Sequence, residues 1–255
     1  MLVDSHCHLN CLDLTAYHGD LAKALAAAKK NDVGHFLCVC IDLETFPEVL
    51  TIAENYADVS ATVGLHPNEP VVNEPTVDHL ITLAQHPKIV GIGETGLDYY
   101  RTDQQQDWQL QRFRNHIRAA IATQKPLIVH SRMAPEDTIR LLREEKAEQV
   151  GGVMHCFVES WEVAKQAMDL NFYISFTGII TFKNAKAIQE VAKQVPLERL
   201  LLETDSPYLA PTPFRGKPNQ PAYVRYVAEQ IALLKQVSYE QVAGISTENY
   251  FKLFS

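Results

Sequence analysis

The sequence predicts an α/β protein that folds as a single-domain (β/α)8 TIM barrel. Short apolar, β-branched runs alternate with longer amphipathic runs along the chain, and each kind occurs eight times in 255 residues. Such alternation predicts βαβ units around a parallel sheet, and eight units in about 250 residues suit a closed barrel. No long Gly/Ser linker or change of composition divides the chain. We therefore assign residues 1–255 to one domain, with an open doubly wound sheet as the alternative fold.

The strand predictions rest on short length, on flanking glycine or proline, and on nearly continuous apolar character. Strands that other layers cover on both faces are expected to be apolar throughout. The predicted strands are, in order, Leu2–Ser5, His35–Cys40, Val59–Gly64, Ile89–Gly93, Leu127–His130, Gly152–His155, Phe172–Phe176 and Leu200–Glu203.

The helix predictions rest on apolar residues that recur every three or four positions. In the longest stretch this pattern includes Phe113, Ile117 and Ala120, which predicts one buried face, while Gln111 and Arg114 lie on the polar face. The predicted helices are Ala22–Lys30, Glu44–Tyr56, Val77–Ala84, Gln106–Ala122, Pro135–Glu145, Ser160–Asp169, Ala185–Lys193 and Ala222–Leu234.

The composition argues against several classes of protein. The 31 acidic and 23 basic side chains give a net charge of −8, which argues against a basic nucleic-acid coat or a membrane-surface protein but does not exclude a local basic groove. No stretch approaches the ~20 apolar residues of a spanning helix, and the first residues lack the pattern of a secretory signal. The five cysteines (Cys7, Cys11, Cys38, Cys40 and Cys156) form no regular framework, which is typical of a reducing compartment. We expect a cytoplasmic protein.

Metal-ligating residue types occur at five of the eight predicted strand ends. In a barrel or an open parallel sheet, functional residues gather at the carboxyl ends of the strands. The first strand runs into His6 and His8, whose side chains share one side of an extended backbone and so form a clamp for a metal ion. The alternative is a pair of surface histidines.

Three further candidates follow the middle strands. Glu94 stands between glycines at the end of the fourth strand, where the backbone is expected to make a crowded turn. A carboxylate can bridge two cations with its two oxygens, although Glu94 is equally explained as a helix-capping acid. His130 and His155 close the fifth and sixth strands, and the alternative for each is a hydrogen-bonded core histidine.

The eighth strand ends in Glu203 and Asp205, which are expected to share a face. Their alternative role is a buried ion pair or a helix cap. The six candidate ligands are His6, His8, Glu94, His130, His155 and Asp205. They are too many for one tetrahedral structural zinc and include no thiolate, so we expect a catalytic centre with two divalent cations. Such cations would attract an anionic substrate despite the acidic chain.

Several segments resemble the TatD family of metal-dependent deoxyribonucleases, in order and over nearly the whole chain. The segments are Asp4-Ser5-His6-Cys7-His8-Leu9, Gly64-Leu65-His66-Pro67, Gly93-Glu94-Thr95-Gly96-Leu97-Asp98-Tyr99, His130-Ser131-Arg132, His155-Cys156-Phe157, Glu203-Thr204-Asp205-Ser206-Pro207-Tyr208-Leu209 and the terminal Asn249-Tyr250-Phe251-Lys252-Leu253-Phe254. The resemblance implies a TIM-barrel hydrolase of the amidohydrolase-like superfamily that acts on nucleic-acid phosphodiesters. It implies a DNase, expected to be a 3'–5' exonuclease on single-stranded DNA.

The resemblance also implies a division of the ligands between two cations. One cation would be held by His6, His8, Glu94 and Asp205, and the other by His130, His155 and the bridging Glu94. His66 and Arg132 would lie in the substrate site.

Chemical reasoning assigns hypothetical roles to the remaining candidates. Asp205 is placed to bind metal and to accept a proton from the attacking water, and Glu203 to orient that water or a ligand histidine. Arg132 offers a planar fork that suits phosphate, and His66 a donor for phosphate or the leaving group. The alternatives are a buried structural acid for Glu203, a surface arginine for Arg132 and a core histidine for His66.

Two other functions compete with the nuclease. One is hydrolysis of a small-molecule amide, lactone or ester on the same scaffold; related barrels often bridge their metals with a carbamylated lysine, whereas Glu94 occupies that position here. The other is a non-enzymatic metal-binding or scaffold protein. Histidines with carboxylates accept Zn, Mn or Ni, and Mg less readily. Nucleic acid is the expected partner, DNA before RNA, and the sequence indicates no obligate protein partner; its residues alone do not choose between exonuclease and endonuclease action.

Overall fold

The computed structural model describes residues 1–101 and 107–255. Within them, eight parallel strands form one sheet in which each strand pairs with the next along the chain. The strands are β1 (Leu2–Cys7), β2 (Val33–Cys38), β3 (Val59–Val63), β4 (Ile89–Asp98), β5 (Leu127–Arg132), β6 (Gly152–Met154), β7 (Phe172–Phe176) and β8 (Leu200–Leu202). The predicted (β/α)8 barrel is confirmed, and the alternative of an open doubly wound sheet is wrong because the strands pair in chain order.

The backbone beyond β8 closes the barrel against β1. Although β8 ends at Leu202, the N–H of Asp205 donates to the carbonyl of His6 at 2.9 Å, and the N–H of His8 donates to the carbonyl of Ser206 at 2.8 Å. The closing hydrogen bonds therefore involve the segments in which the sequence places three of the candidate ligands.

Nine α-helices lie among the described residues. They are α1 (Leu21–Lys29), α2 (Phe46–Asn55), α3 (Val77–Leu83), α4 (Asp107–Thr123), α5 (Pro135–Glu144), α6 (Trp161–Asp169), α7 (Lys186–Gln194), α8 (Val224–Lys235) and α9 (Tyr239–Leu253). Several begin at a residue that caps the free N–H groups of the first turn, as Asp20 does for α1 and Ser160 for α6. Within the described part of the chain, no helix combines the length and the apolar character needed to cross a bilayer.

Helix α9 covers the amino end of the barrel. Its Asn249 side chain donates to the carbonyl of Leu200, the first residue of β8. Tyr250 and the adjoining Phe254 pack into the barrel interior. The other members of this inner cluster are Val39, which directly follows β2, and the strand residues Val3, Leu37, Ile128, Val153, Tyr173 and Leu201. With apolar side chains filling this end, the opposite, carboxyl end is the one where polar side chains meet.

Strand β4 is longer than predicted. It continues to Asp98 rather than ending at Gly93, so Glu94 lies within the strand and not on a turn after it. The strand bulges between Ile92 and Thr95, where three steps on β4 match two on β5. Gly93 and Gly96, both at positive φ, allow this path, and a glycine-rich segment gave no apolar pattern from which to predict a strand.

Two helices also differ from the prediction. Gln106, the predicted first residue of the fourth helix, lies outside the described residues, and α4 is described from Asp107. Helix α9 was not among the eight predicted helices; only its last residues were identified, through the family resemblance. Its buried face includes the polar residues Ser246 and Asn249, which interrupt the apolar period.

Candidate metal centre

Two histidines at the end of β1 turn their rings to the same side. The Nε2 atoms of His6 and His8 lie 3.3 Å apart, and both rings are buried. The carbonyl of Val39 lies 2.9 Å from Nδ1 of His8, so Nδ1 donates a hydrogen bond and Nε2 presents its lone pair. Cys7, between them, points away toward the carbonyl of Leu37, as expected for alternation along a strand.

The carboxylate of Glu94 lies between two groups of histidines. Its Oε2 atom is 3.3 Å from Nε2 of His6 and 4.0 Å from Nε2 of His8. Its Oε1 atom is 2.9 Å from Nε2 of His155 and 3.1 Å from Nδ1 of His130. The two oxygens of one side chain therefore face two different sets of ring nitrogens.

His155 follows β6 directly, and Glu203 contacts its ring at Nδ1, on the side away from Glu94. The Oε1 atom of the fully buried Glu203 lies 3.3 Å from Nδ1 of His155 and accepts a 2.6 Å hydrogen bond from the N–H of Cys156. Cys156 adopts a left-handed φ of 45°, which is uncommon for this residue type. This turn and the Glu203 carboxylate together orient the His155 ring with Nε2 toward Glu94.

Asp205 completes the cluster from the segment after β8. Its Oδ1 atom is 3.3 Å from Nε2 of His8 and 3.7 Å from Nε2 of His6. The residue has a left-handed φ of 54°, a conformation that aspartate tolerates better than most residues. Glu203 and Asp205 both reach the cluster, but they meet different histidines. All six predicted ligands thus converge at the carboxyl end of the barrel.

The separations between these donor atoms suit a bound cation. A tetrahedral ion with bonds of about 2.0–2.1 Å holds its ligand atoms about 3.3 Å apart. The Nε2 atoms of His6 and His8, the His6–Glu94 pair and the His8–Asp205 pair are each separated by 3.3 Å. Imidazole nitrogens with carboxylate oxygens are a donor set for zinc, manganese or nickel. The residues present therefore fit a divalent metal.

The carboxylates and imidazoles shift one another's protonation. Burial disfavours the charged form of Glu94, but the positive charge of His155 and hydrogen bonds from His130 and His155 outweigh it and hold the pKa of Glu94 well below its usual range. Burial likewise opposes the charged form of His155, yet the Glu94 and Glu203 carboxylates raise its pKa well above the ordinary value. Glu94 is therefore ionised at neutral pH, which a metal-binding carboxylate requires.

The two predicted substrate-site residues differ in what they contact. The Nε2 atom of His66 lies 3.4 Å from Oε1 of Glu94. Because the N–H of Asn68 donates to Nδ1 of His66 at 3.1 Å, the ring proton is on Nε2, which makes this atom a donor. Arg132 is exposed at the end of β5, where its guanidinium lies 3.9 Å from the centre of the Tyr100 ring.

Sequence reasoning assigned no role to two buried acids. The Oδ2 atom of Asp98 lies 3.3 Å from Nε2 of His130 and accepts a 2.6 Å hydrogen bond from Asn68. The alternation of side chains along the longer β4 would have indicated Asp98, because it stands four residues after Glu94. Asp4 accepts hydrogen bonds from the N–H and hydroxyl of Thr204; burial raises its pKa to about 8.

Comparison with known proteins agrees with the resemblance. The family model described as TatD related DNase matches residues 3–255. YabD of Bacillus subtilis (strain 168), called an uncharacterized metal-dependent hydrolase, is 46% identical over 255 residues, which is 100% of this chain and 99% of the relative. YcfH of Escherichia coli (strain K12), with the same description, is 47% identical over 254 residues, which is 99% of this chain and 95% of the relative.

A solved structure shares the fold over the same extent. The crystal structure of YjjV, a TatD homologue from Escherichia coli K12, matches with a TM-score of 0.89 at 28% sequence identity, covering 99% of this chain and 97% of that chain. The barrel, the converging histidines and acids, and relatives described as metal-dependent hydrolases along the full chain lead to one conclusion. The chain belongs to the TatD family of metal-dependent hydrolases.

Proposed function

We propose that the protein hydrolyses phosphodiester bonds of nucleic acid, with DNA preferred to RNA. The observation that carries the proposal is the placement of Glu94, whose two oxygens face separate groups of histidines. A carboxylate supplied by the chain itself favours phosphodiester cleavage over the amide chemistry of related barrels that use a carbamylated lysine. The description of the matching family as TatD related DNase supports the same substrate class.

The ligand set divides at Glu94. One divalent cation would be held by His6, His8, Asp205 and Oε2 of Glu94, and a second by His130, His155 and Oε1 of Glu94. When bound, the cations polarise a phosphoryl oxygen and lower the pKa of a water molecule, which supplies a nucleophile near neutral pH.

Two acids of the segment after β8 have separate tasks in this proposal. The side chain of Asp205 is 14% exposed, against 4% for Glu94, so water at the rim reaches Asp205 more readily. Asp205 therefore accepts the proton of the attacking water at a carboxylate oxygen. Glu203 is fully buried behind His155, and it orients that ring and favours the tautomer that leaves Nε2 free to bind metal.

Two cationic or polar groups bind the substrate. His66 directs the N–H of Nε2 toward the cluster, where it donates to a phosphate oxygen or to the leaving group. Arg132 stands two residues after His130 and its guanidinium, stacked on Tyr100, pairs with a neighbouring phosphate. These contacts supply local attraction for a polyanion on a chain whose net charge is −8.

The test compares substrates and cations in one assay. Protein stripped of metal with EDTA is incubated with single-stranded DNA, bis(p-nitrophenyl) phosphate, a p-nitroanilide and a lactone, each with Mn2+, Mg2+ or Zn2+ or without cation. We expect cation-dependent cleavage of the DNA and the phosphodiester, abolished by Glu94→Gln. Glu145→Gln is the matched control, because Glu145 pairs with Arg114 and Arg118 on the helices and should leave the activity unchanged.

Two outcomes would contradict the proposal. Cleavage of the amide or the lactone without cleavage of phosphodiesters would support the small-molecule hydrolase instead. Inactivity toward every substrate, with Glu94→Ala binding cations as well as the parent, would support a scaffold protein.

The mode of cleavage is tested on the same DNA. We propose 3'–5' exonuclease action, so single-stranded DNA labelled at its 5' end should shorten by single nucleotides, and circular single-stranded DNA should resist. RNA of the same sequence should be cleaved more slowly. Cleavage of the circle would show endonuclease action.

A further inference from the structure

Helix α4 directs three polar side chains toward the loop that carries His66. Gln109, Arg112 and His116 follow one another at spacings of three and four residues and so lie on one face of the helix. All three are buried, with exposed fractions of 0%, 2% and 0%. Sequence reasoning predicted a buried apolar face, which the same helix does have at Phe113 and Ile117, and did not identify this polar one. Buried polar groups require partners, and most of these lie in the loop between β3 and α3.

His116 and Arg112 hold the start and the middle of that loop. The Nε2 atom of His116 accepts a 3.0 Å hydrogen bond from the N–H of Leu65. Arg112 donates to the carbonyls of His66 and Glu69 at 2.8 and 2.9 Å. Its remaining N–H groups form a bidentate pair with the carboxylate of Glu74 at 2.8 and 2.6 Å. The guanidinium thus fixes both sides of the turn that follows His66.

Gln109 joins the loop to the end of β4. Its amide nitrogen lies 3.3 Å from the carbonyl of Pro67 and 3.4 Å from that of Asp98, and its oxygen accepts from the N–H of Asp98 at 3.1 Å. Beside this junction, the Asn68 side chain donates to the Asp98 carboxylate, which faces His130. One side chain therefore fixes the distance between the loop and the strand that bears Glu94.

We propose that Gln109, Arg112 and His116 are positioning residues for hydrolysis, which act by holding His66 at Glu94 and Asn68 at Asp98. The inference rests on the proposed function in one respect, namely that His66 and His130 take part in the reaction. The physical reason is that a loop without such ties samples several positions, and a displacement of about 1 Å at a reacting group can lower a rate by about a hundredfold.

The first test removes the hydrogen bonds of the Gln109 side chain and keeps a side chain of similar volume. We expect Gln109→Met to lower kcat/KM for bis(p-nitrophenyl) phosphate with Mn2+ by about tenfold, mainly through kcat. Phe113→Leu is the control, because it perturbs the apolar packing of the same helix; it should lower the melting temperature at least as much and change kcat/KM by less than about twofold.

A mutant cycle of three substitutions tests whether Gln109 acts through the loop. In a chain that already carries His66→Ala and Asn68→Ala, the effect of Gln109→Met should fall below about twofold, since the side chains that it positions are gone. A loss that is undiminished in this background, or that Phe113→Leu reproduces, would overturn the proposal.

Hydrogen exchange gives a readout that needs no activity. Exchange of the amides of residues 65, 66, 68 and 69 should be accelerated about tenfold or more by Gln109→Met and by His116→Leu. The second substitution leaves the Leu65 amide without its acceptor. His116→Gln, which supplies an oxygen acceptor, should restore protection. If the parent cleaves no phosphodiester, the proposed function fails while this measurement still decides the inference; unchanged exchange in both variants would refute it.

Discussion

Replacing Glu203 by glutamine tests whether the Glu203 carboxylate orients the His155 ring for metal binding. The substitution keeps the shape of the buried side chain and removes its negative charge. The oxygen that remains can still accept from the N–H of Cys156, which donates at 2.6 Å. What is lost is the charged partner of Nδ1 of His155, 3.3 Å away.

The size of the effect follows from that one contact. A hydrogen bond to a charged group contributes about 1.5–3 kcal/mol, and each 1.4 kcal/mol corresponds to about tenfold in a binding constant. Removing the outer partner of a metal-binding histidine costs about 10- to 100-fold in metal affinity. Because glutamine retains one acceptor, we expect Glu203→Gln to weaken cation binding by about tenfold, and Glu203→Ala by about a hundredfold.

Calorimetric titration of the EDTA-stripped protein with Zn2+ and Mn2+ measures this affinity directly. Glu145→Gln, which removes a carboxylate that pairs with two arginines, should bind both cations like the parent. If Glu203→Gln folds with the parent's circular dichroism and binds each cation within twofold of the parent, His155 does not depend on Glu203, and the assignment of Glu203 as its orienting partner is wrong.

Three further predictions follow from single residues. Glu94→Gln should lower the rate of phosphodiester hydrolysis by more than about a hundredfold, because Glu94 faces both groups of histidines directly, whereas Glu203 acts only through the ring of His155. Steady-state rates at saturating Mn2+ check this, and a rate within tenfold of the parent would contradict it. Burial lowers the pKa of His116 to about 4, so the unfolded chain binds more protons than the native protein between pH 6.5 and 4, and the free energy of unfolding falls by up to about 3 kcal/mol as the pH drops through this window. Urea titrations at several pH values should show a shallower fall in His116→Gln. An equal fall in the parent and in the variant would show that His116 does not cause the pH dependence. A Cβ on Gly96 would lie 1.9 Å from the carbonyl oxygen of His130, so Gly96→Ala should destabilise the fold by about 3 kcal/mol or more. The control is Gly216→Ala, because Gly216 also has a positive φ but a Cβ there meets no described atom within 4 Å. This substitution should cost only about 1 kcal/mol.

The sequence was informative wherever a local rule sufficed. Alternation along a strand placed the rings of His6 and His8 on one side, and the rule that functional groups follow strand ends selected His130 and His155 before any contact was known. Both rules depend only on neighbours in the chain. The same locality explains why the eight strands were found in order.

The remaining features depend on contacts between distant segments. The bulge in β4 is set by its register against β5, so the pattern along the chain did not predict how the strand turns the two oxygens of Glu94 to separate groups of histidines. Only the family resemblance implied a bridging Glu94. Arg112 and His116 look like surface residues of a helix, and only the backbone of the β3–α3 loop, which supplies their partners, explains why they are buried. The burial of a polar residue on a helix face cannot be predicted until its hydrogen-bond partner is known.

The Glu94 carboxylate, buried among histidines, gives a physical reason why the stability of the fold should depend on metal binding. Glu94 is nearly buried and meets the ring nitrogens of five histidines within 4.0 Å. A protonated imidazole also neutralises it, as at His155, whose pKa the nearby carboxylates raise, but burial opposes that charge at His66, whose pKa it lowers to about 3. A divalent cation supplies positive charge without protonating the rings and uses their lone pairs at the same time. We therefore expect that cation binding at the proposed centre stabilises the native barrel, because the unfolded chain does not bring these ligands together.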